Sequence, residues 1–102
     1  MLLSPDVAAG VPAELGSVHN YYEGMVFDIL RQILGERFGN NDYTADVACV
    51  ALNHLPPRYI RHDVDMAFYL SPDERGEMHD KVEKAVRIAI EFVENSQHRY
   101  DE

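Results

Sequence analysis

Arg58, Tyr59, Arg61 and His62 crowd into the stretch directly after the paired prolines Pro56 and Pro57. Two planar guanidinium groups can grip phosphate oxygens through paired hydrogen bonds or stack on a purine, and a phenol ring adds a stacking face. Tyr43 or Tyr69 can supply a second ring. Asp46 and Asn53 stand two turns apart on one face of a predicted helix, with groups able to read a guanine edge. In this reading the stretch holds an anionic ligand that carries rings. The same residues also admit a structural reading. The prolines fix an extended exit, Asn53 satisfies the freed carbonyls of the helix end, Tyr59 packs on the first helix, and the arginines sit favourably beside a helix C-terminus.

Other chemistry is sparse. Gly35 and Gly39 lack the lysine and hydroxyl pair that a phosphate loop requires. Cys49, the only cysteine, lies among Ala48, Val50 and Ala51 and is expected to be a buried packing residue rather than a reactive one. His62, Asp63 and Asp65 offer transition-metal donors. In a strand, however, the imidazole faces one side and the carboxylates the other, so solvated loop charges are expected and no metal. His79 and Glu83 are spaced for one helix face and read as exposed polar residues. With no nucleophile, base or metal constellation, the chain is predicted to be no enzyme and to carry no cofactor.

The elements that must position these residues follow from pattern. A chain of 102 residues makes one small domain. With 18 acidic and 9 basic residues its net charge is −9, which argues against binding a nucleic-acid polymer or an anionic membrane. No apolar run suits a signal peptide or a membrane span, so a cytoplasmic setting is expected. Residues 1–16, with Pro5, Gly10, Pro12 and Gly16, read as an irregular arm, and 17–102 as the domain. Tyr22, Met25, Val26, Ile29, Leu30, Ile33 and Leu34 predict a helix over 18–38, capped by Ser17 and ended by Gly39. A second helix should run from about 44 or 45 to 55, capped by Asp42 or Thr44 and burying Val47, Val50, Ala51 and Leu55, with Ala48 and Leu52 beside them.

After the prolines, alternation of Ile60, Val64, Met66, Phe68 and Leu70 predicts an extended segment, which must lie on the helices or pair with its copy in a second chain. Ser71, Pro72 and Glu74 then spell a helix start. That helix should reach about Ser96 and bury Met78, Val82, Ala85, Val86, Ala89 and Val93, with a fraying tail. The fold class is therefore all-α, mainly three helices, with one short extended or β segment after the Pro-Pro corner. Long apolar faces and an unpaired extended segment predict a homodimer.

The segments "VHNYYEGMVFDIL" and "ALNHLPPRY" resemble the late competence development protein family, ComFB. The matching positions are Asn20, Glu23, Val26, Asp46, Ala51, Leu52, Asn53, Leu55, Pro56, Pro57 and Tyr59. The resemblance implies a small helical homodimer without enzymatic activity, and some members are receptors for cyclic dinucleotide second messengers such as c-di-GMP or c-di-AMP. Members resembling the Gram-positive type bind zinc through cysteines between the first two helices. Here "GNNDYT" stands in that place, and the zinc site does not carry over. A receptor with Arg58, Tyr59, Arg61, Asn53, Asp46 and Tyr43 at its ligand is one expectation. A dimeric adaptor that docks an unknown downstream protein is the other.

Overall fold

The computed structural model describes residues 13–101, with side chains except at 13, 67 and 97–101. Most of the arm expected over 1–16 lies outside the described residues, and its last part, Ala13–Gly16, forms a helical turn, α1. Next come a two-residue strand β1 (His19–Asn20), helix α2 (Tyr22–Leu34), helix α3 (Asp42–Asn53), strand β2 (Tyr59–Ile60), a short helix α4 (Met66–Tyr69) and a long helix α5 (Pro72–Asp101). The protein is mainly three helices packed pairwise, α5 against both α3 and α2, and α2 against α3. At 1.5 Å per residue α5 is roughly 45 Å long. It therefore nearly fills the longest extent of the molecule, 47 Å.

The core follows the helical periodicity. Val26 and Leu30 of α2, Val47 of α3, and Val82 and Val86 of α5 are fully enclosed, surrounded by Tyr22, Ile29, Leu34, Ala48, Ala51, Leu55, Met78, Ala85, Ala89 and Val93. Met25, Ile33, Val50 and Leu52 are half-buried at its rim. The start of α5 is as its residues predict. Ser71 N–H donates to Glu74 Oε1 at 3.0 Å and Glu74 N–H donates to Ser71 Oγ at 3.1 Å, a reciprocal cap that also holds the Glu74 carboxyl below its usual range. At its other end α5 continues past Ser96 to Asp101.

Several boundaries differ from the sequence expectation. Helix α2 does not begin at Val18, because His19 and Asn20 are extended and pair antiparallel with Ile60 and Tyr59 respectively. The partner for the extended segment is thus the approach to the first helix of the same chain. Gly35, not Gly39, ends α2. It sits at φ 56° and donates its N–H to Arg31 O, after which a 3₁₀ turn covers Gly35–Arg37. Helix α3 is capped by Asn41, whose Oδ1 accepts Thr44 N–H at 2.8 Å, rather than by Asp42 or Thr44.

The extended stretch is also shorter than expected. After Ile60 the chain turns into a 3₁₀ segment (Asp63–Asp65) and α4. Met66 and Leu70 are buried while Val64 and Phe68 are exposed, so burial follows a four-residue step and the apparent alternation concealed a helical turn.

One side chain ties these pieces together. Asn20 Oδ1 accepts Tyr22 N–H at 3.2 Å, satisfying a donor at the start of α2, and accepts Arg58 N–H at 3.0 Å, fixing the chain as it leaves the prolines. Tyr21 N–H completes the junction by donating to Arg58 O at 2.7 Å. Asn20→Ala removes the acceptor from both donors and is expected to lower unfolding stability by about 2 kcal/mol in urea titration. Asn20→Asp, which keeps the acceptor, should recover most of that loss; equal losses in the two variants would show that this oxygen does not matter.

Candidate functional site

Helix α3 closes its own end. His54 N–H reaches Ala51 O and Leu52 O, Leu55 N–H reaches Leu52 O at 3.2 Å, and His54 Nδ1–H donates to Val50 O at 2.8 Å. Asn53 therefore does not satisfy the helix end. It is exposed, and its Nδ2 donates to Cys49 Sγ at 3.7 Å. Cys49 is itself exposed, which corrects the expectation of a packing thiol: its position is on the outer side of α3, between the buried Ala48 and the core residue Ala51.

The prolines then lead into the two-stranded ribbon, where alternation divides the side chains. Ile60 turns inward and is half-buried, whereas Tyr59 turns outward and is 66% exposed, so its ring does not pack on α2. Arg58 uses its backbone to hold Asn20 and Tyr21 and leaves its guanidinium exposed. Arg61 Nε donates to Ser17 Oγ at 3.1 Å, and Ser17 Oγ–H in turn donates to Glu14 O at 2.7 Å. Arg31, Arg37 and Arg87 each pair with a carboxylate, Asp28, Glu94 and Glu83 respectively. Among the described residues Arg58 and Arg61 have no such ion pair.

His19, which the sequence reading did not single out, joins this corner. Its Nδ1 lies 2.9 Å from Ser17 O and its Nε2 lies 2.7 Å from Asp63 Oδ1. Both partners are acceptors, so the ring makes both bonds only when doubly protonated. The Ser17 carbonyl and then the Asp63 carboxylate accordingly raise its pKa above the usual 6.5. The signal available in the sequence was weak, because Asp63 lies 44 residues away.

The sequence-predicted residues do not all converge. Arg58, Tyr59 and Arg61 share the ribbon corner with Asn53 just before the prolines, and Asp46 is exposed two turns back along α3. Tyr43 is at the opposite end of α3, ten residues before Asn53 and so roughly 15 Å away along the axis. There Arg37 lies over its ring at 4.7 Å, its hydroxyl donates to Glu94 Oε2 at 2.9 Å, and Arg37 reaches the same oxygen at 3.2 Å. Partial burial, then Glu94, raises the Tyr43 pKa, while Tyr43 and Arg37 together lower that of Glu94. Tyr43 is a clamp between α3 and α5. His62 is exposed and takes no part in holding Asp63, and Glu83 pairs with Arg87 rather than with His79. Among the described residues no three histidine, cysteine, aspartate or glutamate side chains gather as a metal ion would need.

These features define a small helical protein whose Asn-anchored Pro-Pro corner presents two exposed arginines. The chain belongs to the ComFB family, described as late competence development protein ComFB, whose profile matches residues 19–97. Membership suggests a competence-related regulatory protein. No curated protein and no solved structure matches the chain. Among the described residues no helix is long and apolar enough to cross a membrane.

The His19 geometry carries a pH dependence. The folded protein holds the imidazolium proton more tightly than the unfolded chain, so its contribution is fully present below about pH 6.5 and is lost as pH rises through the raised folded value. The urea midpoint of the wild type should therefore exceed that of His19→Gln at about pH 5.5, and the gap should shrink by about pH 8.5. A gap that widens with pH would contradict the two-donor geometry.

Proposed function

We propose that this protein is a non-enzymatic regulator that binds a cyclic dinucleotide, cyclic di-GMP or cyclic di-AMP, and acts as a homodimer. The observation that carries the reading is the pair Arg58 and Arg61. In a chain of net charge −9, Arg31, Arg37 and Arg87 are matched to carboxylates; among the described residues Arg58, Arg61 and Arg75 are in no ion pair, and Arg58 and Arg61 stand together at the corner. An acidic protein repels phosphate at long range, so binding it depends on such local cations. Guanidinium is suited to phosphate oxygens and to the face of a purine, and Tyr59 beside it offers a ring already turned to solvent.

The family motif also divides in a way that supports binding. Asn20, Val26, Ala51 and Leu55 hold the fold, whereas Glu23, Asp46, Asn53 and Tyr59 are exposed and hold no helix end and no core. A ligand with two phosphates and two purines matches two copies of the corner, one from each protomer. Large exposed apolar side chains at Phe27, Ile88 and Phe92 favour a second chain. The reading carries the expectation of a cytoplasmic setting, and of a downstream protein that senses the loaded dimer.

A second reading, a protein-interaction adaptor without small ligand, is favoured by Phe68 and Tyr69, which are 81% and 73% exposed on α4. Side chains so far out of the core suit a partner surface.

Isothermal titration with cyclic di-GMP and with cyclic di-AMP separates the two. One of them should bind, and Arg58→Ala or Arg61→Ala should weaken it by about 1.5 to 3 kcal/mol for each charge-assisted hydrogen bond lost, with the helical spectrum unchanged. Binding that persists undiminished in both variants removes the site. A folded dimer that binds neither nucleotide supports the adaptor.

A further inference from the structure

A small hollow of about 160 Å³ opens between the start of α2 and the first turns of α5. Tyr21 and Met25 line it on one side, Arg75 and His79 on the other, and the buried Leu70 and Met78 form its floor. An apolar cavity of roughly 150 Å³ accepts a single benzene-sized ring. Two thioethers and a phenol ring suit such a guest, since sulfur and aromatic faces both attract a ring edge. The rim is cationic. Arg75 is exposed, and among the described residues it is in no ion pair and donates no side-chain hydrogen bond.

The acidic groups close by in helical spacing are engaged elsewhere. Asp28, three residues beyond Met25, pairs with Arg31 at 3.2 Å, and Glu83, four beyond His79, pairs with Arg87 at 3.1 Å. The Glu74 carboxylate caps Ser71. Asp73, Glu77 and Asp80 project from the far side of α5 relative to Arg75, with Asp80 Oδ1 3.9 Å from His79 Nδ1. Gly76 keeps the mouth low. Glycine inside a helix destabilises it relative to alanine, yet a Cβ added at Gly76 would meet nothing within 4 Å, so no neighbour in the described chain requires the bare backbone.

We propose that this hollow binds a free small molecule made of one aromatic ring and one carboxylate, with the ring between Tyr21, Met25 and Met78 and the carboxylate paired with Arg75. Guanidinium matches a carboxylate through two parallel hydrogen bonds, which fixes the ligand's orientation as well as its charge. The volume admits one ring and no more, so a purine nucleotide is too large for it. An internal aromatic side chain of a partner protein would bring the ring without the carboxylate and leave Arg75 unmatched. The site is separate from the side chains of Arg58 and Arg61, although it shares Tyr21 with that corner through the Tyr21 N–H bond to Arg58 O.

NMR of methionine methyl groups tests this, with benzoate, benzyl alcohol and acetate as probes. Benzoate should shift the Met25 and Met78 methyls saturably. Benzyl alcohol, which keeps the ring without the charge, and acetate, which keeps the carboxylate without the ring, should each bind about tenfold more weakly or worse. Arg75→Gln, at an exposed position, should retain the helical spectrum and lose about tenfold in benzoate affinity while leaving benzyl alcohol unaffected. Benzoate that moves neither methyl, or that binds Arg75→Gln as it binds the wild type, overturns the site. Benzyl alcohol binding as tightly as benzoate overturns the part given to the carboxylate. N-acetylphenylalanine binding more tightly than phenylpropionate, which lacks only its acetamido group, would make the occupant the end of a protein chain and overturn the assignment to a free small molecule.

Discussion

The structure depends on one carbonyl oxygen. Asn20 Oδ1 receives an N–H from the start of α2 and another from Arg58, residues that are 38 apart in the chain. Without it the paired prolines would still leave α3 in an extended direction, and that exit would be docked only by the Tyr21 N–H to Arg58 O bond, the two-residue ribbon and the Arg61 and His19 contacts beyond it. With it, β1 and β2 are brought into register, Ile60 is turned toward the core and Tyr59 toward solvent. The direction of the Arg58 side chain is a consequence, since its backbone is held on both its N–H and its C=O.

A division of labour follows from this junction. The Arg58 backbone is held at both its N–H and its C=O, while the Arg58 and Tyr59 side chains project to solvent. Helix α3 satisfies its last carbonyls with its own N–H groups and with the His54 ring, so the structural roles open to Asn53 and Tyr59 are filled by other groups. At the opposite end of α3 the reverse holds. Tyr43, Arg37 and Glu94 exchange short contacts that bind α3 to α5, and the ring is committed to packing under a guanidinium. Two ends of one helix, both carrying tyrosine and arginine, thus serve different purposes, and only the geometry distinguishes them.

The helices and their buried faces were legible in the sequence because a three- and four-residue apolar step survives whatever surrounds it. Val26, Leu30, Val47, Val82 and Val86 are at the centre as their spacing implies, and the Ser71–Glu74 cap is complete within four residues. The ribbon was not legible, because two residues per strand give no period and its register is set by a distant side chain. Met66 and Leu70 misled for a related reason: with Phe68 between them, a four-residue helical step looks like alternation. At the candidate site Arg58, Tyr59 and Arg61 were found by residue type and adjacency. His19 was missed because its partner Asp63 comes close only once the ribbon has formed. The exposure of Cys49 was missed because its neighbours Ala48 and Ala51 face the core while it does not.

The central claim is that the corner fixed by Asn20 offers its free side chains to a dinucleotide, and an NMR titration of labelled protein with cyclic di-GMP and cyclic di-AMP tests it most directly. The account expects the largest shifts at the amides of residues 58–61 and at the Arg58 and Arg61 Nε–H groups, smaller ones at Asn53, and none at Tyr43. Shifts centred on Tyr43 and Arg37, or a spectrum untouched by either nucleotide, would contradict it.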